Sequence, residues 1–155
     1  MSTVWVVDDE ESVCGVLEAM LRELGYDVQI FKSGQDVLEA YGKHPPNVVI
    51  TDMRMPRMNG MEVTRALLEI DRDAIVMLLT GYPSIADAVE AIKMGATDFL
   101  SKPCRLEEIR VRVERAIEGR DTQVKLRKSR KLLWALIISL PFWCILGMIL
   151  ARGLV

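Results

Sequence analysis

The sequence predicts an α/β fold: a doubly wound, five-stranded parallel sheet with five helices, followed by a C-terminal hydrophobic helix. Over residues 1–119, short apolar runs alternate with amphipathic helical stretches, which is the pattern of successive strand–helix units. Several runs are apolar throughout, as in Val48-Val49-Ile50, and this favours strands buried on both faces of a parallel sheet. Successive units of this kind predict right-handed crossovers and helices on both sides of the sheet.

The elements follow one another regularly along the chain. The strands are predicted at Thr3–Val7, Val28–Phe31, Val48–Thr51, Ala74–Leu79 and Thr97–Leu100. The helical patterns between and after them cover residues 11–24, 34–42, 60–70, 84–94 and 105–118. Ligands of such sheets bind beyond the carboxyl ends of the strands, near the point where the strand order reverses. Functional residues are therefore expected at that edge.

The charge distribution divides the chain in two. The net charge of −2 combines residues 1–119, which carry 21 acidic and 13 basic side chains for a net of −8, with residues 120–155, which carry one acidic and seven basic side chains for a net of +6. Such asymmetry indicates that the two ends face different surroundings. We predict a folded domain over 1–119, a basic linker over 120–131, a membrane-spanning helix over 132–151 and a short tail over 152–155.

The predicted membrane span is uncharged over its twenty residues, 132–151. At ~1.5 Å per residue, a helix of this length spans ~30 Å, the thickness of a bilayer hydrocarbon core. Six basic side chains lie between Arg120 and Lys131, whereas only Arg152 follows the span. The positive-inside rule then predicts a single-pass protein of the cell inner membrane with its N-terminal domain in the cytoplasm. A buried helix in an oligomer, or the remnant of a truncated output region, is the alternative.

Cysteine and histidine usage agrees with a cytoplasmic domain. The three cysteines, Cys14, Cys104 and Cys144, lack the spacing of a metal or redox motif and indicate reduced thiols. The single histidine, His44, precedes Pro45-Pro46, a context that favours a surface loop. A histidine-ligated metal site is therefore not expected.

Acidic residues fall at the ends of two predicted strands. Asp8 and Asp9 follow the first strand, and Asp52 ends the third. Neighbouring strands would bring these carboxylates together, and their mutual repulsion is costly unless a cation offsets it. Oxygen ligands without nearby histidine or cysteine select a hard cation, and Mg²⁺ fits best because it completes its shell with water and phosphate oxygens.

Two further strand ends carry groups that suit a phosphoryl group. Thr80 closes the fourth strand, and Lys102 follows the fifth. A hydroxyl donor and an ammonium opposite an acidic metal site can neutralise the oxygens of a transferring phosphoryl group. The predicted chemistry is attack of the Asp52 carboxylate on phosphorus, which gives an acyl phosphate. The sequence has no P-loop and no GxGxxG motif, so nucleotide binding is not expected.

These motifs together resemble the receiver domains of response regulators, the CheY-like family of two-component signalling. The resemblance covers about residues 3–118, and the stretch 86–103 is especially similar to receivers of NtrC-like regulators. It rests on Val6-Val7-Asp8-Asp9-Glu10, Thr51-Asp52-Met53-Arg54-Met55-Pro56 with Gly60, Leu79-Thr80-Gly81-Tyr82 and Asp98-Phe99-Leu100-Ser101-Lys102-Pro103.

The resemblance implies a phosphoacceptor and a metal site. Asp52 is expected to take the phosphoryl group from the phosphohistidine of a sensor histidine kinase. Asp9 and Asp52 are expected to bind Mg²⁺ directly, Asp8 through water, and the backbone carbonyl of Arg54 as a further ligand. The protein is not expected to be a turnover enzyme, since it would catalyse only its own Mg²⁺-dependent phosphorylation and dephosphorylation.

The resemblance also implies residues that contact the phosphoryl group, switch or tune its lifetime. Thr80 and Lys102 are expected to contact the phosphoryl group, and Phe99 matches the switch aromatic that moves together with the Thr80 hydroxyl. A half-buried strand aromatic is equally expected in the core, so both roles of Phe99 stay open. Arg54 and Tyr82 border the expected water route, and we hypothesise that their bulk lengthens phosphoryl lifetime.

The output is open at this point. Similar receivers usually precede an ATPase or a helix-turn-helix domain, and this sequence has neither pattern. The first hypothesis is a membrane-anchored receiver whose phosphorylation changes protein contacts, including a homodimer, on the face of the fourth helix, fifth strand and fifth helix. A phosphate sink without output is one alternative. DNA binding through residues 120–131 is another, although their position beside the apolar run favours anionic lipid.

Overall fold

The computed structural model describes residues 2–120, which contain one five-stranded sheet in the order β2-β1-β3-β4-β5. All neighbouring strands are parallel, so the predicted doubly wound sheet is confirmed. Each strand lies within two residues of its predicted bounds, and β3 and β4 run on through Asp52 and Thr80. The strands are β1 Thr3–Val7, β2 Asp27–Phe31, β3 Val48–Asp52, β4 Val76–Thr80 and β5 Asp98–Ser101.

Within residues 2–120, five helices connect and follow these strands, as predicted. Local capping explains where several begin: the Ser33 and Ser84 hydroxyls accept hydrogen bonds from the backbone three residues on, which satisfies amides that the first turn leaves without a partner. Asn59 and Glu62 form a reciprocal capping box. The helices are α1 Glu11–Glu23, α2 Gly34–Tyr41, α3 Gly60–Ile70, α4 Ile85–Met94 and α5, residues 106–120.

Hydrophobic cores cover both faces of the sheet. Successive strand residues point to opposite faces, so Val4 and Val6 pack on one side while Trp5 and Val7 pack on the other. The side of α1 and α5 buries Val4, Val6, Leu17, Leu21, Val28, Val48, Ile50, Ile75, Met77, Leu79, Leu100, Ile109 and Val113. The side of α2 and α3 buries Trp5, Val7, Phe31, Val37, Tyr41, Val49, Val63, Leu67, Ala74 and Val76.

The loop from β3 to α3 is held tightly against the sheet. The Gly60 N–H donates to the Met53 carbonyl at 3.1 Å, and a Cβ at Gly60 would collide with the Asp52 carbonyl oxygen and lie 2.7 Å from a Leu78 methyl. Only glycine therefore lets the start of α3 approach the end of β3 so closely. Within the loop, Arg57 takes a φ of +69°, which is unusual for a residue with a side chain.

The compact unit that contains this sheet extends over Met1–Glu118. Among residues 2–120, no helix has the length and apolar character needed to cross a membrane. The predicted membrane helix at 132–151 lies outside the described residues, as do the tail at 152–155 and nearly all of the linker at 120–131. These assignments stay predictions.

Candidate functional site at the carboxyl edge of the sheet

The strand register brings the predicted site residues to one edge of the sheet. Val7 lies beside Thr51, so Asp8 and Asp52 follow on adjacent strands. Thr80 is registered with Ser101 on the other side, which places Lys102 next to the end of β4. The structure thus places Asp8, Asp52, Thr80 and Lys102 at neighbouring strand ends, and the roles predicted for them stay predictions.

Lys102 joins the two buried carboxylates. Its Nζ lies 2.7 Å from Asp8 Oδ2 and 2.6 Å from Asp52 Oδ1. Asp8 is 1% exposed and Asp52 is 7% exposed, so their repulsion is poorly screened and the shared ammonium offsets it. Burial by itself lowers the pKa of Lys102, but the hydrogen bonds and charges of Asp52 and Asp8 outweigh it, so the pKa is raised above its usual value.

The other oxygens of both carboxylates are held by the backbone. Asp8 Oδ1 accepts a hydrogen bond from the Glu10 N–H at 2.8 Å, and Asp52 Oδ2 accepts one from the Arg54 N–H at 2.8 Å. Each carboxylate is thus oriented by one backbone donor and one ammonium. Such preorganisation fixes the Asp52 oxygens before a reaction begins.

Thr80 and two exposed side chains border Asp52. Thr80 is 2% exposed, and its Oγ1 accepts a hydrogen bond from the Tyr82 N–H at 3.2 Å, which leaves the hydroxyl proton for donation. The Arg54 guanidinium lies 5.2 Å from the centre of the Tyr82 ring, within the range of a cation–π contact. The two predicted tuning residues therefore contact each other.

The predicted magnesium ligands are brought together only in part. Asp8 and Asp52 share Lys102, whereas Asp9, two residues beyond the end of β1, is exposed. Within residues 2–120, no three histidine, cysteine or acidic side chains are grouped as a metal site. The donor atoms present, the carboxylate oxygens of Asp8 and Asp52 with Asp9 next in the chain, are of the kind that a hard divalent cation prefers. Ligation by Asp9 and by the Arg54 carbonyl stays a prediction.

Phe99 packs against a small core cluster on the α4 side of the sheet. It is half-buried and contacts the small core cluster of Leu78, Ala91 and Ala96. These contacts support the interpretation of Phe99 as a core residue, and its role as a switch stays a prediction.

Sequence reasoning missed an ion pair beside Phe99. Asp98 Oδ1 accepts hydrogen bonds from Arg112 Nη1 at 2.7 Å and from the Phe99 N–H at 2.8 Å. The two partners are 14 residues apart in the chain, and only the packing of α5 on the sheet brings them together. In the sequence, only the aromatic residue of the Asp98-Phe99 dipeptide carries a predicted role.

A groove beside Lys102 was also missed. It lies between α1 and the loop that joins β5 to α5, and its volume is about 400 Å³. Burial raises the pKa of the Cys104 thiol to about 11, so this cysteine stays protonated at neutral pH. Residues of α1 and of the loop after β5 line the groove, among them Val13, Val16, Met20, Lys102, Pro103 and Cys104.

Comparison with known proteins identifies the class of this site. The family model of the response regulator receiver domain matches residues 4–114, and the chain belongs to this family. Receivers of this family typically bind Mg²⁺ at the phosphorylation site and are typically phosphorylated by sensor histidine kinases. The chain is thus the receiver domain of a two-component response regulator.

Two curated regulatory proteins are similar to most of this chain. Regulatory protein LuxO of Vibrio cholerae serotype O1 is 38% identical over 112 residues, which are 72% of this chain and 25% of LuxO. Tetrathionate response regulatory protein TtrR of Salmonella typhimurium is 37% identical over 117 residues, which are 76% of this chain and 57% of TtrR. The chain thus spans about a quarter of LuxO and little more than half of TtrR.

A solved structure gives the same result for the fold. The solution structure of the beryllofluoride-activated NtrC4 receiver domain dimer is 34% identical, with a TM-score of 0.74, and the match covers 77% of this chain and 99% of that one. The predicted CheY-like fold and the NtrC-like resemblance are confirmed. The predicted membrane segment receives no support from these relatives.

Proposed function

We propose that Asp52 accepts a phosphoryl group from the phosphohistidine of a sensor histidine kinase, and that this changes the protein contacts of the domain. The observation that supports it best is the shared ammonium: Lys102 lies within 2.7 Å of both Asp8 and Asp52. The alternative interpretation is that the two buried carboxylates and the lysine form an ion triad that only stabilises the fold. Here they lie at a ligand-binding sheet edge beside a hydroxyl donor, which a structural triad does not require.

The transfer uses groups that the fold already holds in place. A carboxylate oxygen of Asp52 forms a bond to phosphorus while the phosphorus–nitrogen bond of the donor breaks, and the leaving imidazole nitrogen keeps the electron pair. Lys102 neutralises a phosphoryl oxygen, and the Thr80 hydroxyl donates a hydrogen bond to another. Asp52 thereby becomes an acyl phosphate that water later hydrolyses. The chain is not proposed to turn over any other substrate.

Magnesium would be held on the acidic side of the same site. We assign Asp9 and Asp52 as direct ligands, Asp8 as a ligand through water and the Arg54 carbonyl as a further ligand. The bound ion would supply positive charge to the phosphoryl oxygens. Binding can be followed without any reaction, because a ligand of the folded state raises the unfolding temperature. Asp9→Ala should lose the Mg²⁺-dependent rise, and an unchanged rise would remove Asp9 from the set.

Beryllofluoride, which imitates a bound phosphoryl group, tests the acceptor site directly. With Mg²⁺ it should raise the unfolding temperature of the wild-type chain and have no effect on Asp52→Asn. Lys102→Met should weaken the response, because the ammonium partner of the phosphoryl oxygens is gone. Equal responses of Asp52→Asn and the wild type would contradict the proposal.

The groove beside Lys102 is where we propose that the kinase docks. A phosphohistidine must reach Asp52 at the carboxyl edge of the sheet. Lys102 lies at that edge and also lines the groove. Val16, on its α1 wall, is 56% exposed and offers an apolar contact. Val16→Glu should slow transfer from the kinase but leave phosphorylation by acetyl phosphate unchanged. Ile70→Glu, at an equally exposed position on α3, is the matched control.

Contacts after phosphorylation are proposed on the face formed by α4, β5 and α5. Helix α4 exposes Ile85, Val89 and Ile92 to 86%, 46% and 51%, and their spacing places them on one side of the helix. The NtrC4 receiver that this chain resembles is a dimer when beryllofluoride-activated. A homodimer through this face would bury the stripe. Sedimentation with beryllofluoride should show a dimer that Ile85→Glu removes, and a persistent dimer would exclude this face.

Membrane tethering through 132–151 is proposed from the sequence alone. Twenty uncharged residues follow a basic stretch, and this combination favours a spanning helix with the receiver in the cytoplasm. The full chain expressed in bacteria should stay with the membrane pellet after alkaline carbonate washing. Release into the supernatant would show peripheral attachment at most. Protease added to inverted inner-membrane vesicles should digest the receiver, and protection would contradict the orientation.

A further inference from the structure

The carboxylate of Asp98 joins the edge strand β5 to helix α5. One oxygen, Oδ1, accepts hydrogen bonds both from Arg112 Nη1 at 2.7 Å and from the Phe99 N–H at 2.8 Å. Among the described residues, β5 is the edge strand of the sheet and pairs with β4 alone. The backbone of Phe99 and the α5 side chain Arg112 are therefore linked through a single acidic oxygen.

The Arg112 side of this link is itself fixed. Its second terminal nitrogen lies 3.2 Å from Glu108, one turn earlier on α5. The side chains of Arg112 and Asp98 are 35% and 30% exposed, so the pair is more shielded from solvent than an ordinary surface ion pair. Charged partners also strengthen the hydrogen bonds that they make. The pair can thus pass a displacement of β5 on to α5.

The other side of the link leads to the proposed phosphorylation site. Phe99 packs with Leu78 of β4, and the two residues are register partners. β4 ends two residues later at Thr80, which is registered with Ser101. A movement of Thr80 towards a phosphoryl group therefore acts on the strand pair that contains Phe99.

We propose that the Asp98–Arg112 pair is the coupling that transmits rearrangement at Thr80 and Phe99 to helix α5. The inference rests on the proposed phosphorylation of Asp52, and it adds the physical link by which α5 responds. Arg112 acts as a positioning residue in this arrangement, since it contacts neither Asp52 nor a phosphoryl group. Without the pair, β5 still rearranges while α5 no longer follows.

Hydrogen–deuterium exchange of the full chain, with and without Mg²⁺ and beryllofluoride, tests this coupling. In the wild type, amides of β5 and of α5 should both change their exchange rates on binding. In Arg112→Ala the β5 change should persist and the α5 change should be lost. Asp98→Asn keeps the shape of the acceptor but removes its charge, and it should show the same separation.

Arg110 provides the matched control on the same helix. It is an exposed arginine that pairs with Glu107, so Arg110→Ala removes an equal charge without touching β5. Its α5 response should match the wild type. Retention of the α5 response in both Arg112→Ala and Asp98→Asn would overturn the coupling, as would a wild-type α5 that does not respond to bound beryllofluoride. A wild type that fails to bind beryllofluoride would instead refute the proposed function.

Discussion

The contact between Arg54 and Tyr82 predicts how long a phosphoryl group survives on Asp52. Arg54 follows Asp52 by two residues and Tyr82 follows Thr80 by two, and the guanidinium lies 5.2 Å from the ring centre. The Arg54 N–H donates to Asp52 and the Tyr82 N–H donates to Thr80. The paired side chains thus belong to residues whose backbones bond Asp52 and Thr80. Our hypothesis is that water reaching the acyl phosphate must pass between them or part them.

The size of the effect follows from the exposure of the pair. Tyr82 is 73% exposed, and exposed cation–π contacts contribute about 0.5–1 kcal/mol. If water can attack only when the pair is apart, losing the contact should speed hydrolysis by about 2- to 5-fold. Arg54→Ala and Tyr82→Ala should each show this acceleration. The double variant should add little, because the same contact is already lost in each single variant.

The assay is the decay of phosphorylated protein in a chase without phosphoryl donor, followed by intact mass spectrometry. Arg65→Ala, at an exposed position on α3, controls for the loss of a positive charge. Decay rates of both single variants equal to the wild type would refute the reasoning. Fully multiplicative effects in the double variant would show that the two side chains act separately.

Three further predictions concern stability. Gly60→Ala should lower the free energy of unfolding by about 1–3 kcal/mol, because its Cβ would overlap the Asp52 carbonyl. Gly15→Ala in α1, with open space around it, should instead raise the free energy of unfolding by up to about 1 kcal/mol. Urea titration measures both variants, and equal effects would contradict the packing argument. Arg57→Gly should raise the free energy of unfolding by up to about 1 kcal/mol in the same assay, since glycine tolerates a φ of +69°. A loss of stability would show that the stabilising contacts of the Arg57 side chain outweigh the backbone strain. The folded pKa of Cys104 is about 11, above its ordinary value of 9.0, so the contribution of the protonated thiol to the free energy of unfolding is complete below pH 9 and is lost as pH rises through 11. Over that interval, the free energy of unfolding of Cys104→Ala should therefore fall less than that of the wild type. Parallel curves of stability against pH would contradict this.

The sheet was predictable because its strands carry the strongest local signal. Val48, Val49 and Ile50 are all buried, and so continuous an apolar run suits only an inner strand. The start of β4 was less certain for the same reason. Ala74 and Ile75 are buried too, but they precede the strand, so hydrophobicity alone could not place its first residue.

The site was predictable wherever a side chain sits at a strand end. Asp8, Asp52, Thr80 and Lys102 follow this rule, and parallel strands necessarily bring their carboxyl ends to one edge. The direct contact of Lys102 with both carboxylates depends on the conformation of the loop after β5, and the sequence pattern does not predict that conformation. The Asp98–Arg112 pair depends on how α5 packs on the sheet, and sequence spacing alone carries no sign of it.

Phosphorylation by acetyl phosphate tests the central claim most directly. Incubation of the full chain with acetyl phosphate and Mg²⁺ should add the mass of one phosphoryl group, and peptide mapping should locate it at Asp52. The addition should disappear in Asp52→Asn and when a chelator removes the metal. A wild type that gains no mass, or an Asp52→Asn variant that still gains it, would contradict the account.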